Sequence, residues 1–255
     1  MTGVVNQSIT RVGRFEPFEL QVSRGQITFH EAINLFGNTT ALGSTAYGPL
    51  WEGLTGAGGA YAYPASAVIM TLASSSASDT AVTIRVIGLG AGYVSQTEDV
   101  ALNGTTGVLT TKTFLRINKL ETVSGNAVGN VTAVNGAVTY AKITAGNGDT
   151  QMSLYTVPAG YTFYQTYYQA DTNTSVTSGA YVRLRTYFVD NAAGGVIHAA
   201  TQTAFVQQLL VPLSYPQGFP EKTDIQYQLL GAGGAGAVAN IYVGGVLIKN
   251  DGSLD

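Results

Sequence analysis

Short runs of β-branched and aromatic residues, cut about every 8 to 12 residues by glycine, proline or Asn-Gly, recur along most of this chain, and no stretch carries a sustained helical period. The pattern is clearest from Tyr155 to Val189, where three strand pieces are divided by Pro158-Ala159-Gly160 and by a polar bridge from Asp171 to Gly179. β-Branched and aromatic side chains fit a pleated, half-buried surface, whereas proline and glycine interrupt one. In the last piece Val182, Leu184 and Phe188 alternate with Tyr181, Arg183, Arg185 and Tyr187. A period of two sets the first group against a core and leaves the second as a wet, aromatic and basic face.

The same reading along the rest of the chain predicts an all-β fold. It expects two tandem β-sandwich domains of jelly-roll or Ig-like type, over residues 46–145 and 146–255, behind an extended N-terminal arm, residues 1–45. Hairpin turns are expected at Asn103-Gly104, Asn135-Gly136 and Gly244-Gly245, where residues that accept positive φ stand between apolar runs. The arm is rich in phenylalanine, and Phe15, Phe18, Phe29 and Phe36 are candidate subunit contacts. Residues 27–36 fit a strand or a short helix, and the segment fits either an arm laid on another subunit or a strand added to the first domain.

Composition narrows the function. Charged residues make up 11% of the chain, against roughly a quarter in ordinary soluble domains. The net charge is −3 and no Lys/Arg run exists, so no field for nucleic acid is expected. Without cysteine there is no disulfide or thiolate metal site. No leader-like or membrane-spanning run of apolar residues appears, and neither export nor a membrane partner is expected.

Catalytic patterns fail on inspection. Gly88-Leu89-Gly90-Ala91-Gly92 and Gly231 to Gly236 resemble dinucleotide loops, but each is followed by strand-like sequence where a phosphate site needs a helix N-terminus. His30 and His198 are far apart with no nucleophile motif beside them, and Glu98-Asp99, adjacent in a strand, point to opposite faces. Asp171 to Ser175 begins like a calcium loop but has Val176 where glycine is needed and Val182 where glutamate is needed. No enzyme, metal or cofactor is expected. What remains is a candidate binding surface of Tyr164, Tyr168, Tyr181, Arg183, Arg185 and Tyr187.

Several phrases, in order, resemble a family of virion structural proteins from tailed bacteriophages, marine phages especially. They are PFELQVSRGQI (Pro17 to Ile27), LFGNT (Leu35 to Thr39), Trp51-Glu52-Gly53 with Tyr61-Ala62-Tyr63-Pro64, VTIRVIGL, LNGTT, FLRINKLETVSG, and ITAGNGDTQMSLYTVPAG (Ile143 to Gly160). One departure is at Phe36-Gly37-Asn38-Thr39, where a basic residue or tyrosine often follows the glycine. The resemblance implies a non-enzymatic component of the virion, head-associated or in the neck or tail. Its partners would be further copies of itself and other virion proteins such as the major capsid, portal or tail proteins. A glycan-binding sandwich that uses the exposed tyrosines is the alternative.

Overall fold

The computed structural model describes residues 16–250 apart from 41, 44, 54–60, 174–180 and 233–237. It is almost entirely antiparallel β. A short helix, α1 (Phe18–Ser23), precedes β1 (His30–Thr39) and the two-residue β2 (Gly48–Pro49). Then come β3 (Val68–Ser74), β4 (Thr83–Leu89), β5 (Ser95–Ala101), β6 (Val108–Phe114), β7 (Arg116–Ser124), β8 (Val131–Asn135) and β9 (Val138–Ile143). The remaining strands are β10 (Leu154–Thr156), β11 (Tyr161–Thr172), β12 (Tyr181–Asp190), β13 (Val196–Phe205), β14 (Gln208–Phe219), β15 (Thr223–Ala232) and β16 (Ala239–Lys249).

Two sandwiches result. In the first, a sheet ordered β6-β3-β8-β9 faces one ordered β5-β4-β7, and Met70, Leu72, Ile84, Val86, Phe114 and Leu120 fill the space between them. In the second, β1-β16-β11-β14 faces β10-β15-β12-β13, with β2 also paired to β15. Phe163, Leu184, Phe219, Tyr227, Ile241 and Val243 form that core. Strand pairing does not follow the expected split at 145/146, because β1 and β2 pair with β16 and β15 in the second sandwich. The first sandwich is thus inserted between β2 and β10 in sequence. The chain crosses from one core to the other at adjacent residues: Leu50 is buried in the second and Trp51 in the first. Ser153 staples the crossing, exchanging hydrogen bonds with the Leu50 backbone at 2.8 Å and donating its hydroxyl to the Tyr227 carbonyl at 2.7 Å.

Most of the expected arm is folded onto its own chain. Residues His30–Thr39 pair in continuous register with β16, from His30 opposite Ile248 to Thr39 opposite Ala239. Leu35 points into the second core. The ambiguity over 27–36 resolves as a strand because β16 satisfies its backbone groups. The one α-helix among the described residues, at Phe18–Ser23, is an element the sequence reading did not contain.

The turn expectations divide. Asn135-Gly136 does close a hairpin: Asn135 stands opposite Val138 and Gly136 has φ 58°. Asn103-Gly104 also turns, with Gly104 at φ 58°, but its flanking strands β5 and β6 belong to different sheets. Gly244-Gly245 makes no turn. It lies within β16, which runs unbroken from Ala239 to Lys249 against β1 on one side and β11 on the other. These glycines are spacers: a Cβ on Gly244 would lie 2.3 Å from Tyr167 Cε1, and one on Gly245 would lie 2.4 Å from the Tyr164 carbonyl oxygen.

The two sandwiches are joined by a buried ion pair. Arg116 of β7 donates through Nε and Nη2 to both carboxylate oxygens of Asp224 of β15, at 2.7 and 2.8 Å. Arg116 Nη1 also donates to the Pro64 and Leu115 carbonyls at 3.1 and 2.8 Å. Its guanidinium lies 4.5 Å from the centre of the Tyr63 ring. Thr156 Oγ1 and Asn191 Nδ2 supply further donors to Asp224, at 2.6 and 2.9 Å. Burial opposes the arginine's charge, but the bond to Asp224 outweighs it and holds the pKa above its ordinary value.

Two outcomes are expected. Asp224→Ala leaves a buried guanidinium unpaired and should cost about 3–5 kcal/mol in urea unfolding followed by Trp51 fluorescence, whereas the double change Arg116→Met/Asp224→Leu should cost less. Gly245→Ala should cost about 1–3 kcal/mol by the same measurement, since the Tyr164 backbone cannot retreat without breaking the sheet.

Candidate functional site

The candidate surface residues do not form one site. Tyr164 lies on β11, in one sheet of the second sandwich, while Tyr181, Arg183, Arg185 and Tyr187 lie on β12, in the facing sheet. Tyr168 is not on a surface: it is 4% exposed and part of the second core. The cause is a β-bulge between Gln165 and Tyr167, where β11 gains one residue on β16 and where β14 in turn loops out between Pro212 and Gln217. Without the bulge Tyr164 and Tyr168 would share a face; the extra residue turns Tyr168 inward.

On β12 the expected alternation holds. Val182 and Leu184 are buried, and Tyr181, Arg183, Arg185 and Tyr187 face outward or lie half-buried. The tyrosine rings are occupied by the chain's own cations. The Arg183 guanidinium lies 5.0 Å from the Tyr181 ring centre, and the Arg185 guanidinium 4.2 Å and 5.4 Å from those of Tyr47 and Tyr187. Arg185 also donates to Gln228 Oε1 on β15. Cation–π stacking and cross-strand hydrogen bonds thus make this face a self-satisfied layer.

Of the phenylalanines, Phe18, Phe29 and Phe36 are exposed, and Phe15 falls outside the described residues. Phe36 lies on the wall of a cleft of about 530 Å³ between the sandwiches. One wall is β1, residues 31–36 in succession; the other is the outer face of the β5-β4-β7 sheet, with Ile87, Leu89 and Lys119. The cleft carries Glu31, Glu121 and Asp149 against Lys119, which pairs with Asp149 at 3.0 Å and Glu121 at 3.5 Å. Among the described residues no group of three or more His, Asp or Glu side chains could hold a metal ion. Asp171 is tied to Asn240 Nδ2 at 2.7 Å, and most of the loop that resembles a calcium site lies outside the described residues.

The opposite side of the second sandwich carries a feature that motif reading passed over. Strands β13 and β14 are the edges of its two sheets, joined directly through Val206 and Gln207. From Val196 to Phe219 there is no Asp, Glu, Lys or Arg. Ile197 and Leu210 are each 61% exposed, and Val196 and Val206 are also open to solvent. On β14 the residues between Pro212 and Gln217 bulge away from β11, and Tyr215 there is 89% exposed. A sequence signal did exist, in 24 uncharged residues rich in Val, Leu and Ile. Only the sheet order shows that both strands are edges.

No known protein family and no curated protein matches the chain. Solved structures do. The structure of T=1 particles derived from infectious bursal virus is similar at 13% identity over 87% of this chain and 70% of that one, with a TM-score of 0.26. A subviral particle of infectious bursal disease virus gives 11% identity, 88% and 74% coverage and a TM-score of 0.27. The Gt strain of the same virus gives 11%, 92% and 82%, and 0.21. Likeness at this level carries no argument about this chain.

Tyr168→Ala should cost about 3–5 kcal/mol and lower the melting temperature, because it empties part of a packed core. Tyr164→Ala and Tyr181→Ala should leave the melting curve nearly unchanged.

Proposed function

We propose that the chain is a non-enzymatic structural protein of a tailed-bacteriophage virion, assembled as a homo-oligomer on the particle. It would sit there as a capsid decoration or as a neck or tail component, in contact with major capsid, portal or tail proteins. The observation that carries the assembly reading is the uncharged double edge of β13 and β14. Soluble monomers blunt a sheet edge with lysine, short strands or a covering loop, because an open edge templates pairing with another chain. Here edges of ten and twelve residues, one in each sheet and joined through Val206 and Gln207, carry no charge and expose Ile197, Leu210 and Tyr215. A patch of this kind fits burial against a second copy or a virion neighbour. The ordered phrases that resemble those of phage virion proteins support the setting.

Light scattering on the purified chain at several concentrations should give the mass of a closed oligomer. Ile197→Asp/Leu210→Asp should shift it to the monomer without lowering the melting temperature by more than a few degrees. A wild-type chain that stays monomeric at all concentrations would overturn the self-assembly reading.

A further inference from the structure

The cleft between the sandwiches is bounded by an open strand edge. β1 pairs with β16 on one side, and among the described residues no other backbone group bonds to residues 31–36. These residues form one wall of the cleft. In an antiparallel pair, every second residue of an edge strand turns its N–H and C=O outward, so this wall offers unpaired backbone groups along its length. The facing wall gives apolar contact through the half-buried Ile87, with Leu89 buried behind it. The carboxylates outnumber the cations, and Glu31 has no ion pair among the described residues, since Lys119 is taken by Asp149 and Glu121. An open backbone edge, an apolar floor and excess negative charge together describe a slot for an extended, basic segment. Adding a strand to a sheet edge is a general mode of recognition.

The chain contains such a segment. Residues 1–15 hold Arg11 and Arg14, no acidic residue, and the apolar Val4, Val5, Ile9 and Val12. Fully extended, fifteen residues reach at most about 50 Å, more than the roughly 33 Å of a ten-residue strand such as β1. From Glu16 onward the chain is held to its own subunit, with Phe18 against His30 at 5.8 Å and Arg24 bound to Glu16. We propose that residues 1–15 of one subunit add as a strand to the open edge of β1 in a second copy, seated in the acidic cleft. This inference rests on the self-assembly reading above, and makes the cleft the acceptor and residues 1–15 the donor of an intersubunit strand exchange.

The test uses the full chain. Phe36→p-benzoylphenylalanine places a photo-cross-linker on the cleft wall, and a mixture of isotopically heavy and light subunits shows whether a cross-link joins two copies. The expected result is a cross-link from position 36 to a peptide within residues 1–15 of the other copy. Glu31→Lys and Arg11→Glu/Arg14→Glu should each weaken that cross-link about tenfold, and the three changes combined in one chain should restore it, as charge complementarity requires. Cross-links to residues 1–15 of the same copy, to any other segment, or none at all in an oligomeric sample would overturn the proposal while leaving self-assembly standing. A sample that is monomeric by light scattering would overturn both.

Discussion

The Arg116–Asp224 pair is the contact on which the arrangement of the two sandwiches depends. The cores meet at β10, whose Leu154 packs in the first and whose Tyr155 packs in the second, and polar side chains run beside that seam. Arg116 comes from the first sandwich, Asp224 from the second, and both are less than a tenth exposed. Charges at this depth are tolerated only when every lone pair and proton finds a partner. Thr156, Asn191, the Pro64 carbonyl and the rings of Tyr63 and Tyr93 meet that demand, and they come from four separate segments. Relative rotation of the sandwiches would break several of these bonds together. The ion pair therefore acts as a register pin, together with the cleft-lining Asn118, which exchanges hydrogen bonds with the Thr156 backbone at 2.9 Å.

Glycine does comparable work within the second sandwich. Tyr167 lies over Gly244 and Phe163 against Gly245, so two large rings are taken up where the neighbouring strand has no side chains. The bulge in β11 at the same level reverses the inside-outside order of the residues after it. Tyr168 and Ala170 then enter the core, and Tyr167 joins Tyr242 outside with ring centres 5.6 Å apart. Desolvation and its neighbour Tyr242 push the Tyr167 phenol up to about 12. The hydroxyl stays neutral across the physiological range, as a half-buried aromatic layer requires.

The functional reading follows from the two sides of this sandwich. One side carries β13 and β14, open and uncharged. The other carries β1, open toward an acidic cleft. Sandwiches leave edges wherever a sheet ends, and a stable soluble subunit must cover or blunt each one. Here the coverings are argued to be other subunits, through apolar burial on one side and strand exchange on the other. The tyrosine and arginine face of β12, the most eye-catching stretch of sequence, is already satisfied by its own cation–π and amide contacts. Its composition resembles that of a binding surface, yet its contacts are those of an intramolecular layer.

Local physics was readable from the residues alone. The β class, the Asn135-Gly136 hairpin and the inward set Val182 and Leu184 depend on side-chain period and on the φ preferences of a few residues, which neighbours in sequence determine. Everything that depended on pairing partners was decided by tertiary structure. The segment around Phe36 became an edge strand because β16 lay open to it, two hundred residues away. Gly244-Gly245 became the middle of a strand because rings needed room, and Tyr168 became core because a bulge upstream added one residue. A period of two states that faces alternate; it cannot state which face is inside after an insertion, nor which strands a sheet leaves at its margin. Those facts are long-range, and the open edges that carry the proposed function are among them.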